Sequence, residues 1–119
     1  DIDYLGISTY PNMVSEIKRA EVLFSIKYID SLSNAYSLPI GISETAVSSK
    51  LYNKEQRNTY VKNIFQKVNE LDLKFVIWGS MIDGAADNFW SDKMGLLNAD
   101  GEPKNEFSFW QNEYSKLHK

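Results

Sequence analysis

The chain repeats one order of segments three times: a short apolar run, a polar corner, and a longer segment with helical spacing. The apolar runs are Tyr4–Tyr10, Leu38–Ser43 and Leu73–Trp78. Strands that alternate with helices form parallel sheets through crossover connections, and parallel strands buried on both faces read as near-continuous apolar runs. The pattern therefore predicts an α/β fold in which three strands run parallel.

Local signals mark where these segments begin and end. Pro11 ends the first run, because proline cannot donate a hydrogen bond to a neighbouring strand. A helical segment is predicted from Asn12 to Tyr36. Asn53, with Gln56 three residues later, is a capping box that predicts the start of the next helix. The apolar stripes predicted to face the core are Tyr60, Ile64, Val68 and Leu71 in that helix and Phe107, Trp110, Tyr114 and Leu117 in the last one.

Composition excludes several classes of function. The 119 residues are 43% hydrophobic, enough for one domain with its own core, so residues 1–119 are predicted to form a single unit. A net charge of -3 and scattered basic residues do not indicate nucleic-acid binding. No apolar run is long enough to cross a membrane, and the first residues lack the basic region of a signal peptide. There is no cysteine and only one histidine, His118, which argues against thiolate metal sites and histidine-based triads.

Three prominent side chains end consecutive predicted strands. They are Tyr10, Glu44 and Trp78. Side chains alternate along a strand, so Glu44 is predicted to share a face with Ile40 and Ile42. Because neighbouring strands lie about 4.8 Å apart, the three side chains are expected to converge at one rim of the sheet. That rim is where ligands bind in parallel α/β folds.

Four segments carry a resemblance to a known family: DIDYLGISTYP, LPIGISETAVSS, FVIWGSMIDGAADNFW and MGLLNADGEPK. In this order they resemble the last three βα units of a (β/α)8-barrel (TIM-barrel) glycoside hydrolase. The resemblance is to the retaining clan that includes cellulases, mannanases and endo-β-1,4-galactanases. It implies that the chain is the C-terminal part of a catalytic barrel. Its partner would be the remaining part of the barrel or a second copy of the chain. It also implies polysaccharide degradation outside the cell.

The resemblance assigns roles to the three strand-end residues. Glu44 matches the nucleophile that ends the seventh strand, Tyr10 matches the residue beside it, and Trp78 matches the tryptophan beneath the sugar. For Trp78, the alternative is a place in the core. A retaining glycosidase needs a second carboxyl group about 5–5.5 Å from the nucleophile. In this clan that acid/base glutamate ends the fourth strand, which has no counterpart here. The resemblance thus implies a carbohydrate substrate, no cofactor and no metal, and an isolated chain with little or no activity.

Other interpretations remain open. The loop after Trp78 contains Asp83 and Asn88, which would either form a turn or bind sugar hydroxyls, and Trp90, which would either extend the sugar platform or cover the barrel end. Glu44 could be a structural ion-pair partner or a loop N-cap. The chain as a whole could be a non-catalytic carbohydrate-binding protein on the same scaffold. An unrelated doubly wound α/β domain is a third interpretation.

Overall fold

The protein is an α/β unit built on one small parallel sheet. The computed structural model describes residues 2–10, 31, 33–84 and 93–117. The elements, in chain order, are β1 (Leu5–Thr9), β2 (Ile40–Thr45), α1 (Lys54–Glu70), β3 (Val76–Trp78) and α2 (Asn105–Lys116). The strands are ordered β1-β2-β3 and both pairs are parallel, which confirms the predicted class. The helix predicted from 12 to 36 lies mostly outside the described residues, although residues 31 and 33–36 are helical.

The start of α1 is set by its capping box. The backbone N–H of Gln56 donates to Asn53 Oδ1 at 2.9 Å, and the backbone N–H of Asn53 donates to Gln56 Oε1 at 2.9 Å. Each side chain thus satisfies a backbone donor that has no partner within the helix. The predicted helix start is confirmed.

The core lies between one face of the sheet and the two helices. Its buried cluster consists of Ile7, Ile40, Ile42, Val47, Tyr60, Ile64, Val68 and Leu73. The predicted stripe of α1 is confirmed, with Leu71 half-buried against the cluster. Trp110 of α2 packs edge-on against Phe65 of α1, with ring centroids 4.7 Å apart. Of the four residues predicted to face the core from the last helix, Trp110 and Leu117 pack against the buried cluster. Tyr114 is 46% exposed, so its predicted core position is wrong.

Strand β2 contains a bulge that changes which face its end presents. Ser43 is an extra residue relative to the neighbouring strands. A bulge re-aims the side chains that follow it. Ser43 and Glu44 are both exposed, whereas Ile42 and Thr45 are both buried. The prediction that Glu44 shares a face with Ile40 and Ile42 is therefore wrong, because the extra residue turns Glu44 to the opposite face.

The face of the sheet away from the helices is largely open. Gly6, Ser8, Ser43 and Glu44 are exposed on it, and Ile77 keeps 53% of its surface accessible. Among the helices that the structure describes, none has the length and apolar character needed to span a membrane.

Candidate active site

Tyr10 and Glu44 meet above Gly79 at the carboxyl edge of the sheet. A methyl group placed on Cα of Gly79 would lie 3.0 Å from Glu44 Oε1 and 3.1 Å from the Tyr10 hydroxyl oxygen. The Tyr10 phenol donates a hydrogen bond to the Glu44 carboxylate. The structure therefore brings together two of the three residues predicted to converge at this rim.

The local backbone explains why these groups meet. Tyr10 follows Thr9, the last residue of β1, and by alternation it lies on the open face while Thr9 is buried. The bulge brings Glu44 to the same face. The N–H of Gly79 donates to the Thr45 carbonyl at 2.7 Å, which extends the pairing of β3 with β2 by one residue. The missing side chain at Gly79 leaves the space that the phenol and the carboxylate occupy.

The electrostatics keep Tyr10 in its donor form. Partial burial, the hydrogen bond to Glu44 and the negative charge of that carboxylate all raise the pKa of Tyr10 above its ordinary value of about 10. The phenol therefore holds its proton throughout the neutral range. Glu44, by contrast, is exposed on the open face, where a ligand has access to its carboxylate.

Trp78 lies on the other side of the sheet. It pairs in register with the buried Thr45 and packs against the core. Its indole N–H donates to the Met94 carbonyl at 2.9 Å, and its ring meets Trp110 edge-on at 5.0 Å. The prediction that Trp78 converges with Glu44 is wrong, because the bulge in β2 re-aims Glu44 and has no counterpart in β3. The contacts of Trp78 match the alternative of a core position.

Asp83 forms a buried ion pair. Its Oδ1 accepts from Lys104 Nζ at 2.6 Å and from the backbone N–H of Gly95 at 2.9 Å. Lys104 Nζ also donates to Ser49 Oγ at 3.2 Å and to the Lys93 carbonyl at 3.0 Å. Burial lowers the pKa of Lys104, while the hydrogen bond and charge of Asp83 oppose that shift. The side chain of Asp83 is only 2% exposed, which favours the structural alternative over a contact with sugar hydroxyls.

The Asp83–Lys104 ion pair has a structural role. It ties the loops after β2 and β3 to the start of α2. Asn88 and Trp90 lie outside the described residues, and their proposed sugar contacts stay predictions.

Three features of this region were missed at the sequence level. Gly79 directly follows a strand, and a glycine there indicates a close approach of other groups. The Tyr60 hydroxyl contacts Thr9 and Thr45 at the strand ends. Tyr60 lies on a buried helical stripe, and a buried tyrosine hydroxyl usually finds a hydrogen-bond partner. The bulge at Ser43 has no comparable signal, because no glycine or proline marks it.

Two solved structures that share this fold are glycosidases. The beta-glucuronidase of Faecalibacterium prausnitzii matches with a TM-score of 0.69 and 13% identity, over 98% of this chain and 22% of its own. The beta-D-glucuronidase of Dictyoglomus thermophilum matches with a TM-score of 0.69 and 16% identity, over 97% of this chain and 23% of its own. Both are TIM-barrel glycoside hydrolases. Comparisons with protein-family models and with curated proteins give no match.

These similarities define a class of fold. At such low identity they establish shared architecture alone, which is that of a parallel α/β unit like one part of a TIM-barrel glycosidase. The chain spans less than a quarter of the length of either structure.

Proposed function

We propose that the chain is the C-terminal part of a retaining glycoside hydrolase that cleaves β-linked poly- or oligosaccharides, with Glu44 as the nucleophile. The observation that carries this proposal is the Tyr10–Glu44 pair above Gly79, on the open face and at the carboxyl edge of a parallel sheet. Substrates bind at this edge in barrel enzymes. The fold shared with TIM-barrel glycosidases supports the same scaffold, and their greater length supports a barrel completed by further residues or a second copy.

The proposed reaction is a double displacement. An oxygen of the Glu44 carboxylate attacks the anomeric carbon, and the bond from that carbon to the glycosidic oxygen breaks. A second carboxyl group, supplied from outside these residues about 5–5.5 Å away, gives its proton to the leaving oxygen. The same group then takes a proton from water, which hydrolyses the glycosyl ester and restores the original anomeric configuration. No cofactor takes part.

Tyr10 orients the nucleophile in this scheme. Its phenol donates to the carboxylate of Glu44, which restricts the rotation of that side chain. Reacting atoms held close to their attack geometry lower the entropy cost of the reaction. Because polymeric substrates lie outside the cell, we propose an extracellular place of action.

The test combines a substitution with a covalent probe in the complete polypeptide that carries these residues. Glu44→Gln removes the nucleophile and should lower kcat by on the order of 10³-fold or more. A panel of 2-deoxy-2-fluoro-β-glycosyl fluorides, which includes the glucuronide because of the structural neighbours, should label the peptide that contains Glu44. Mass spectrometry locates the label. Glu55→Gln, at an exposed carboxylate in the first turn of α1, is the matched control and should leave hydrolysis and labelling unchanged.

The outcomes separate the competing functions. Normal hydrolysis by Glu44→Gln, or a label on another residue, would refute the assignment of the nucleophile. Binding of the oligosaccharides without any hydrolysis by the wild-type protein would favour the non-catalytic carbohydrate-binding protein.

A further inference from the structure

One buried hydroxyl links the ends of the two strands that carry the proposed site. The Tyr60 hydroxyl, on α1, donates to the Thr9 carbonyl at 3.2 Å and lies 2.6 Å from Thr45 Oγ1. A phenol has a single proton, so the Thr45 hydroxyl is the donor in the shorter contact. All three residues are buried, with exposed fractions of 6% for Tyr60, 3% for Thr9 and 0% for Thr45.

The two threonines are sequence neighbours of the proposed catalytic pair. Thr9 and Thr45 are paired directly across β1 and β2. Tyr10 follows Thr9, and Glu44 precedes Thr45. Both threonines face the helices while Tyr10 and Glu44 lie on the open face, because successive side chains point to opposite sides of a strand. Tyr60 therefore holds, from behind the sheet, the backbone from which both site residues project.

Because of the bulge, the face that Glu44 takes depends on the contacts of the Tyr60 hydroxyl. Beyond Ser43, β2 pairs with β1 at only two positions, Glu44 and Thr45. A slip of one residue moves every side chain to the other face of a sheet. Such a slip in β2 would return Glu44 to the face that packs on the helices. The Tyr60 hydroxyl contacts both strands in this short stretch, so it opposes the slip.

We propose that Tyr60 is a positioning residue that acts through Thr45 and Thr9 to hold the Glu44 carboxylate against the Tyr10 phenol. The inference rests on the proposed function of that pair. Phenylalanine at position 60 keeps the buried ring and loses only the hydroxyl, so Tyr60→Phe tests the connection without emptying the core.

The experiment measures catalysis and geometry separately, in the complete polypeptide. Tyr60→Phe should lower kcat about tenfold with KM changed less than about twofold, because the carboxylate moves by a fraction of an ångström. The geometric readout is ¹⁹F NMR of protein labelled with 3-fluorotyrosine, with the Tyr10 signal identified by its loss in Tyr10→Phe. Titration of that signal should show a lower pKa in Tyr60→Phe than in wild type, because the hydrogen bond to Glu44 is weakened and because the charge of Tyr60, which also raises the pKa of Tyr10, is removed. Thr45→Val keeps the Tyr60 phenol and therefore isolates the first cause.

Variants of Thr45 test whether Tyr60 acts through the Thr45 hydroxyl. Thr45→Val removes the hydroxyl at nearly constant shape and should lower kcat and the pKa of Tyr10 in the same direction as Tyr60→Phe, by no more than that variant does, because the bond from Tyr60 to Thr9 remains. Thr45→Ser keeps the hydroxyl and should restore values near wild type. The double variant should be no worse than Tyr60→Phe alone, since that substitution already breaks the hydrogen bond between the two side chains.

Ile64→Val is the matched control for lost packing. Ile64 is fully buried one turn beyond Tyr60 in the same cluster. Its truncation should lower stability and leave kcat and the Tyr10 titration unchanged. Wild-type kcat in Tyr60→Phe, or an unchanged Tyr10 titration in Thr45→Val, would overturn the proposal, as would an equal drop in kcat for Ile64→Val.

The proposal that Glu44 is the nucleophile and the proposal that Tyr60 positions it can be refuted independently. If Glu44→Gln leaves hydrolysis intact, the proposed nucleophile is wrong. The Tyr10 titration in Thr45→Val, which keeps the Tyr60 phenol, still decides whether Tyr60 holds the Tyr10–Glu44 pair.

Discussion

Replacing Gly79 by alanine should displace the proposed nucleophile while leaving the fold intact. The new methyl group would lie 2.9 Å from Glu44 Cγ, 3.0 Å from Glu44 Oε1 and 3.1 Å from the Tyr10 hydroxyl oxygen. Non-bonded carbon atoms normally approach to about 3.5–4.0 Å, so the Glu44 side chain must move by roughly 0.5–1 Å. The φ angle of Gly79 is not positive, and alanine therefore adds no backbone strain there.

The magnitude follows from that displacement. A misplacement of about 1 Å costs on the order of 10² in rate, which corresponds to about 2.7 kcal/mol in the activation barrier. The free energy of unfolding should change by only about 1 kcal/mol, the net value of a hydrogen bond, because the exposed Glu44 side chain can turn toward solvent. Catalysis should therefore fall far more than stability.

The assay compares steady-state kinetics with urea denaturation in the complete polypeptide. Gly101→Ala is the matched control, because Gly101 has a φ of 88° and nothing within 4 Å of its missing Cβ. Alanine at that position should cost about 1 kcal/mol of stability through backbone strain and leave kcat unchanged. If Gly79→Ala folds normally and keeps kcat within about twofold of wild type, the nucleophile does not act from above Gly79.

Three further predictions concern stability. Asn53→Ala should lower the free energy of unfolding in urea by about 1 kcal/mol, and no change would mean that the capping box does not form. Asp83→Asn leaves the Lys104 ammonium buried without its counter-ion and should cost about 3–5 kcal/mol, with most of the loss recovered when Lys104→Met is added. A loss below about 1 kcal/mol for the single variant would contradict the buried pair. Burial raises the pKa of Tyr60, so the folded state keeps a proton that the unfolded state releases. The contribution of Tyr60 to stability should be constant below pH of about 10 and decline above it, so the alkaline decline in stability should be shallower in Tyr60→Phe. Identical alkaline profiles for the two proteins would refute this reasoning.

Structural features that depend on short sequence spacings were predicted from the sequence. The capping box at Asn53 depends on residues three apart, and the buried stripe of α1 depends on helical spacing, so both were predicted correctly. The predicted positions of the strand ends were less accurate. The second strand was placed at Leu38–Ser43 and is observed at Ile40–Thr45, because pairing with neighbouring strands decides where a strand begins.

The candidate site was predicted in part. Tyr10 and Glu44 follow from their positions at strand ends, since parallel strands bring those ends to one edge. The expected convergence of Trp78 with Glu44 fails because Glu44, and not Trp78, changes face, and Asp83 is buried in an ion pair. Each outcome depended on groups distant in sequence, the neighbouring strands that set the register of β2 in one case and Lys104 in the other.

The sequence by itself determined the parallel α/β class, the start of α1 and the carboxylate at the end of β2, because these depend on residue types and short spacings. Only the tertiary structure decided which face that carboxylate takes. One extra residue in β2 reverses the alternation of its side chains, and such an insertion is defined only by the register of the neighbouring strands. The same register brings Tyr10, Glu44 and Gly79 together and sets Trp78 apart from them.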